Sequence, residues 1–177
     1  MTAIRSAAYG GRRNLFRLFS FLALLLLSSV AVIPLFPVLV VRDSTSNAVL
    51  FSHRIAHDGS FGIRWTHSIH RSDVEEHYRL EAGQIVLTRL RFHDYGIGME
   101  NELAAGEELV LADGQFEVRN MHRVFPALHL FIGQVRANHT LLFAGQELPL
   151  RTIGKPGEAV VIQAEKRSML SELGGYE

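Results

Sequence analysis

Phe61 to Tyr78, FGIRWTHSIHRSDVEEHY, gathers three of the chain's nine histidines, its only tryptophan and three carboxylates into eighteen residues. Imidazoles beside carboxylates can carry acid–base chemistry, hold a ligand or bind a metal. Which of these is open depends on which side chains share a face. The stretch alternates with a period of two, so faces can be assigned as on a strand. Phe61, Ile63, Trp65 and His67 share one face, and Val74, Glu76, Tyr78 and Leu80 share a face on the return strand. His67 and Glu76 thus stand where apolar residues are expected, and misplaced polar groups mark functional candidates.

A hairpin with the four-residue loop His70-Arg71-Ser72-Asp73 pairs Ile63 with Leu80, Trp65 with Tyr78 and His67 with Glu76. Each apolar residue then meets another, which favours that register. A two-residue turn at Ala82-Gly83 adds a third strand, with Leu80 opposite Ile85, Tyr78 opposite Leu87 and Glu76 opposite Arg89. The expected candidate site is therefore a polar row, His67–Glu76–Arg89. Arg89 and His67 would hold Glu76 ionised, and Glu76 would orient His67 as a base or help hold a ligand. The same row could simply close the end of a sheet. Ser68 and Thr66 point to the opposite face, which removes a serine–histidine pair.

A metal site is the weaker expectation. His67 and His70 are three apart, which converges on a helix and diverges on a strand. No His-Glu-x-x-His pattern occurs, so no metal ligand and no cofactor is assigned. Asp94-Tyr95-Gly96-Ile97-Gly98-Met99 follows a strand but lacks the third glycine, the lysine and the long helix of a phosphate loop. It reads as a tight turn.

The elements that position these residues are predicted to be all-β. Period-two runs separated by turn residues give about nine short strands, a small antiparallel sandwich or barrel. The strands fall at Val38–Arg42, Ala48–Arg54, Ser60–Ser68, Val74–Glu81, Gln84–Phe92, Gln115–Arg119, Ala127–Arg136, Thr140–Phe143 and Ala159–Lys166. A helical turn is expected around Glu100–Ala105. Ahead of the β domain, Leu18 to Val41 carries no charge, and Pro34 and Pro37 limit any helix near its end. This predicts a basic N-terminus over 1–14, one transmembrane helix over 15–36, an outward-facing β domain over 37–167 and a flexible tail over 168–177. Arg5, Arg12, Arg13 and Arg17 put the N-terminus in the cytoplasm. The competing reading is a signal peptide cleaved after Ala31. The lipid bilayer is the first expected partner.

Residues 43–177 hold 13 basic and 18 acidic side chains, a net of −5, although the whole chain is formally neutral. That argues against nucleic acid as a partner. The absence of cysteine removes disulfide and thiol chemistry.

Trp65-Thr66-His67-Ser68, then Glu76 and Tyr78, then Gly96-Ile97-Gly98-Met99, together resemble the signature of a bacterial domain-of-unknown-function family, the one numbered eighteen-fifty. The resemblance covers roughly 37–167. The chain departs from the pattern at His70, at Asp73-Val74 and at Glu100. The resemblance supplies no reaction. Genes of such proteins are often found beside TAXI-type TRAP transporters, and the anchor expected above puts the domain on the outer side of the bacterial inner membrane. Its expected partners are a transporter permease or solute receptor, and its role is that of an accessory or binding module. The alternative is a periplasmic hydrolase or isomerase using His67 and Glu76; a metal-binding module is weaker still.

Overall fold

The structure, a computed structural model, describes residues 5–56, 59–94, 102–133 and 137–173. Two compact units emerge, one formed by the chain ends and one by Pro37–Glu165. In the first, helix α1 (Arg5–Val32) ends just before Pro34, whose ring and missing N–H stop a helix. A short helix α2 (Met169–Leu173) follows the last strand. Among the described residues no helix is long and apolar enough to cross a membrane. The transmembrane helix expected over 15–36 is therefore not supported. Its uncharged helical part runs only from Leu18 to Val32, about 22 Å at the α-helical rise, against a hydrocarbon core of about 30 Å.

Among the described residues the second unit contains twelve strands in two antiparallel sheets, and no barrel closes. Strands β1 (Phe36–Asp43), β2 (Val49–Arg54), β9 (Leu128–Phe131) and β12 (Ala159–Arg167) form a four-stranded sheet in the order β2-β1-β12-β9. The larger sheet runs β11-β10-β3-β4-β5-β7-β6, with β8 also pairing β5. Its strands are β3 (Ser60–Thr66), β4 (Asp73–Glu81), β5 (Gln84–Phe92), β6 (Glu108–Ala112), β7 (Gln115–Arg119), β8 (Arg123–Phe125), β10 (Thr140–Phe143) and β11 (Gln146–Pro149). The two sheets bury one core, in which Leu39, Val41, Val160 and Ile162 of the smaller meet Phe61, Ile63, Ile85 and Leu141 of the larger.

Strands β5, β7 and β10 have the predicted bounds. Strands β6, β8 and β11 were not predicted, and β3 ends at Thr66, two residues early. Strand β9 stops at Phe131, well short of Arg136. The helical turn expected at Glu100–Ala105 falls partly outside the described residues. The described part is a turn closed by the Glu107 amide on the Ala104 carbonyl, with Gly106 at φ 90°.

One irregularity decides which residues enter the core. Strand β5 pairs Tyr78 with Leu87 but His77 with Arg89, so Thr88 is an extra residue in the strand. The Thr88 hydroxyl donates to the His77 carbonyl, and its own carbonyl accepts the Met121 amide. An inserted residue reverses the alternation beyond it. Ile85, Leu87, Leu90 and Phe92 therefore all face the core, while Arg89 and Arg91 face out. Leu90 and Phe92, out of step with Ile85 and Leu87 in a single period of two, thus join the same face across a phase change.

Three hairpins close through two-residue turns at Ala82-Gly83, Asp113-Gly114 and Ala144-Gly145, with positive φ at both positions of each. These are the mirror-image turns that match strand twist. Alanine carries a Cβ penalty there that asparagine tolerates better. We expect Ala82→Asn and Ala144→Asn each to stabilise the fold by up to about 1 kcal/mol. Urea unfolding followed by Trp65 fluorescence checks this; a lower midpoint in both variants contradicts the turn assignment.

Candidate functional site

The hairpin β3–β4 closes two residues earlier than its sequence suggested. Thr66 pairs with Asp73, Trp65 with Val74, Ile63 with Glu76 and Phe61 with Tyr78. The loop is Ser68–Arg71, held by the His67 amide on the Ser72 carbonyl and the Arg71 amide on the His67 carbonyl. Arg71 takes the left-handed conformation at φ 58°. The His67 ring caps this loop, its Nδ1 accepting the amides of Ile69 and His70 at 3.4 and 3.3 Å. That is the role asparagine or aspartate plays in many turns. Thr66 closes the hairpin from the other side, its Oγ1 donating to Asp73 at 3.0 Å. Phe61 stacks on Tyr78 with ring centroids 5.2 Å apart.

The expected row His67–Glu76–Arg89 is therefore not assembled. His67 lies four residues along the strands from the position opposite Glu76, roughly 13 Å at strand rise. Arg89 is turned to the opposite face by the bulge at Thr88 and pairs with His77. The pairing on which a hydrolase or isomerase reading rested is absent. Of the other signature positions, Ser68 is exposed in the loop, and Gly96, Gly98 and Met99 lie outside the described residues.

Glu76, Tyr78 and Trp65 meet instead in a cleft of about 550 Å³. Ile63, Leu87, Phe125, Ala127, Leu128 and Leu130 supply its apolar walls, and Arg123, His129 and His139 join them. The Tyr78 hydroxyl donates to Glu76 Oε2 at 2.9 Å. Burial pushes the Glu76 carboxyl up, only partly opposed by that bond. Burial, then the adjacent Glu76, pushes Tyr78 up as well, so the phenol keeps its proton. Burial pushes His139 down, and its buried Nδ1 has no hydrogen-bond partner. Rings of His139, Trp65, His67 and His70 follow one another at centroid spacings of 6.3, 5.8 and 4.8 Å, linking the cleft to the capped loop.

Arg123 does not bring a free charge to the cleft. Its Nε and Nη2 donate to the two oxygens of Glu107 at 2.8 and 2.7 Å. Arg123 in turn holds the Glu107 carboxyl below its usual range. No serine or threonine lines the cleft among the described residues, so the Tyr78 phenol is the hydroxyl beside Glu76. No group of three or more histidine, aspartate or glutamate side chains there could hold a metal ion.

The outer face of the same sheet handles charge differently. Arg64 binds Glu147 and approaches Glu75 at 3.8 Å. Glu117, nearly fully buried, meets Arg91 at 3.2 Å and also Arg119. Burial opposes its ionisation, but Arg119, Arg89 and Arg91 outweigh that and hold the carboxyl below its usual range. Burial and the nearby Arg89 push His77 down.

His129, His139 and Arg123 were not legible as cleft residues. They reach it from segments remote from the hairpin, and no sequence spacing ties them to Glu76.

The raised Glu76 carboxyl has a signed consequence. Folded protein holds that proton to higher pH than unfolded protein. The resulting stabilisation is fully present below the ordinary carboxylate range and is lost as pH rises towards the folded-state value. Glu76→Gln keeps an acceptor for Tyr78 but cannot ionise. Its stability relative to wild type is expected to increase as pH rises from about 4 to 8. Urea midpoints across that range test it; parallel profiles for the two proteins refute a raised Glu76.

A family model described as a domain of unknown function, DUF1850, matches residues 61–150, from the second residue of β3 to Leu150. No curated protein matches the chain, and no solved structure does. The match covers half of the chain and contains every residue that lines the cleft. The chain belongs to the DUF1850 family.

Proposed function

We propose that this protein is a non-enzymatic binding module that works at a membrane surface as an accessory to solute uptake, with the cleft as its ligand site. The observation that carries the binding role is the cleft itself: a carboxyl and a phenol on largely apolar walls, with no serine or threonine hydroxyl beside them among the described residues. Such sites, mostly apolar with a few convergent polar groups, are the usual form of small-molecule pockets.

Helix α1 supports the membrane surface. Leu15, Phe16, Leu18, Phe21, Leu24 and Leu26 are each more than half exposed and point to all sides of the helix. A helix apolar all round needs an apolar cover, and Arg12, Arg13 and Arg17 suit the anionic headgroups beside one. The link to uptake rests on the family resemblance, which implies a transporter permease or receptor as the protein partner, and the arginines ahead of the apolar segment support an extracytoplasmic location.

Two measurements test this reading. Affinity purification from native membranes should recover a transport protein, and removal of residues 1–33 should release the domain from the membrane fraction. Ala127→Phe, which fills the cleft, should lower solute uptake several-fold, as deletion of the gene does, while the protein stays membrane-bound. Normal uptake in the deletion strain, with no transport protein recovered, sinks the proposal.

A further inference from the structure

We propose that the cleft selects an uncharged aromatic molecule bearing a hydroxyl, a simple phenol, with its ring against Trp65 and Phe125 and its hydroxyl on Glu76. This rests on the binding-module reading above and names the ligand class of that site.

The charge balance of the cleft excludes ions first. Arg123 is the only guanidinium that lines it among the described residues, and Glu107 occupies it with two hydrogen bonds. An anionic ligand would have to break that pair or go unpaired in an apolar enclosure, which is costly. A cationic ligand would be stripped of water against mostly apolar walls, with one carboxyl to meet it that already takes the Tyr78 hydrogen bond.

The polar atoms then specify the head group. Glu76 takes one hydrogen bond, from Tyr78, and has none other among the described residues. His139 Nδ1 is buried without a partner. A carboxyl accepts a hydrogen bond in either protonation state, and an imidazole nitrogen donates or accepts according to tautomer. A hydroxyl, which also does both, is the smallest group that matches this wall. A carboxylate or an ammonium could serve only one role.

The walls specify the body. Trp65, Tyr78, Phe125 and His139 present ring surfaces, and Ile63, Leu87 and Leu130 fill between them. Flat rings pack on such walls by offset stacking or edge-to-face contact. A volume of about 550 Å³ lies within the range of small-molecule pockets.

Three probes of similar size separate the terms: p-cresol, toluene and benzoate, titrated at pH 7 into the full chain in lipid nanodiscs. Trp65, the only tryptophan, reports occupancy of its own cleft. The Ala127→Phe variant supplies the baseline for partitioning into lipid. p-Cresol is expected to quench Trp65 saturably and to bind about tenfold or more tightly than toluene, the margin of one buried hydrogen bond. Benzoate is expected to show no saturable effect. In Glu76→Leu the preference for cresol over toluene should fall to near one, while toluene binding persists and shows that the fold is intact. Should Glu76→Leu not fold, Tyr78→Phe should narrow the same ratio.

Benzoate binding more tightly than cresol overturns the proposal in favour of an anion site. Toluene matching cresol in the wild type removes the role of Glu76 and overturns it too. If none of the three binds while Ala127→Phe still abolishes uptake, the phenol class is wrong and the binding-module reading stands.

Discussion

The bulge at Thr88 is the constraint on which the rest of the larger sheet depends. Without the extra residue, Arg89 and Arg91 would turn into the core and Leu90 and Phe92 out of it. With it, one strand changes phase midway and keeps an unbroken apolar face. The bulge is held on both sides: the Thr88 hydroxyl satisfies a β4 carbonyl, and the Thr88 carbonyl is met by Met121 from the segment before β8. A threonine suits this position because its hydroxyl takes up a main-chain acceptor that the interrupted ladder leaves open. Leu90 then stands opposite Glu76, so the carboxyl is walled by Leu90 and Ile63 rather than by a cation.

That change of neighbour separates two kinds of electrostatics on one sheet. On the outer face, acids are met by arginines and stay ionised even when enclosed, as Glu117 does. On the inner face, Glu76 has a phenol in place of a guanidinium, and desolvation dominates. A hydrogen bond from a neutral donor recovers only part of the cost of burying a charge, whereas paired guanidinium groups can recover most of it. The same residue type is therefore a well-paired anion on one side and a carboxyl whose ionisation is opposed on the other.

Much of this was readable in the residues, and the failures have a common origin. The two-residue turn at Ala82-Gly83 was legible because alternating runs on either side of it leave few backbone solutions. Face membership was legible too: Trp65, Glu76 and Tyr78 do share a face. The register of β3 on β4 was not. Moving the loop by two residues slides one strand by four against the other and keeps every side chain on its own face, so the hydrophobic pattern cannot distinguish the two registers. The choice fell to local chemistry, namely the His67 cap, the Arg71 conformation and the Thr66–Asp73 bond. Strand β11 was missed because Gln146-Glu147 is polar and exposed, as edge strands often are. Strand β8 is only three residues long, too short to show a period. The phase change in β5 was visible in the spacing of Ile85, Leu87, Leu90 and Phe92, which a single period of two cannot fit.

The order of the smaller sheet carries a consequence for how the chain is made. Strand β1 lies between β2 and β12, and Val38 to Val41 are almost completely buried there. Its first neighbour follows within a few residues, but its second is synthesised more than a hundred residues later. At ordinary elongation rates that is a wait on the order of ten seconds. Throughout it a β-branched, apolar strand has an open hydrogen-bonding side, the form most prone to pairing with another chain. The larger sheet, built largely from consecutive hairpins, can assemble in that interval. The smaller one cannot close until β12 arrives, which makes the early protection of Val38–Val41 a requirement of biogenesis rather than of the finished fold.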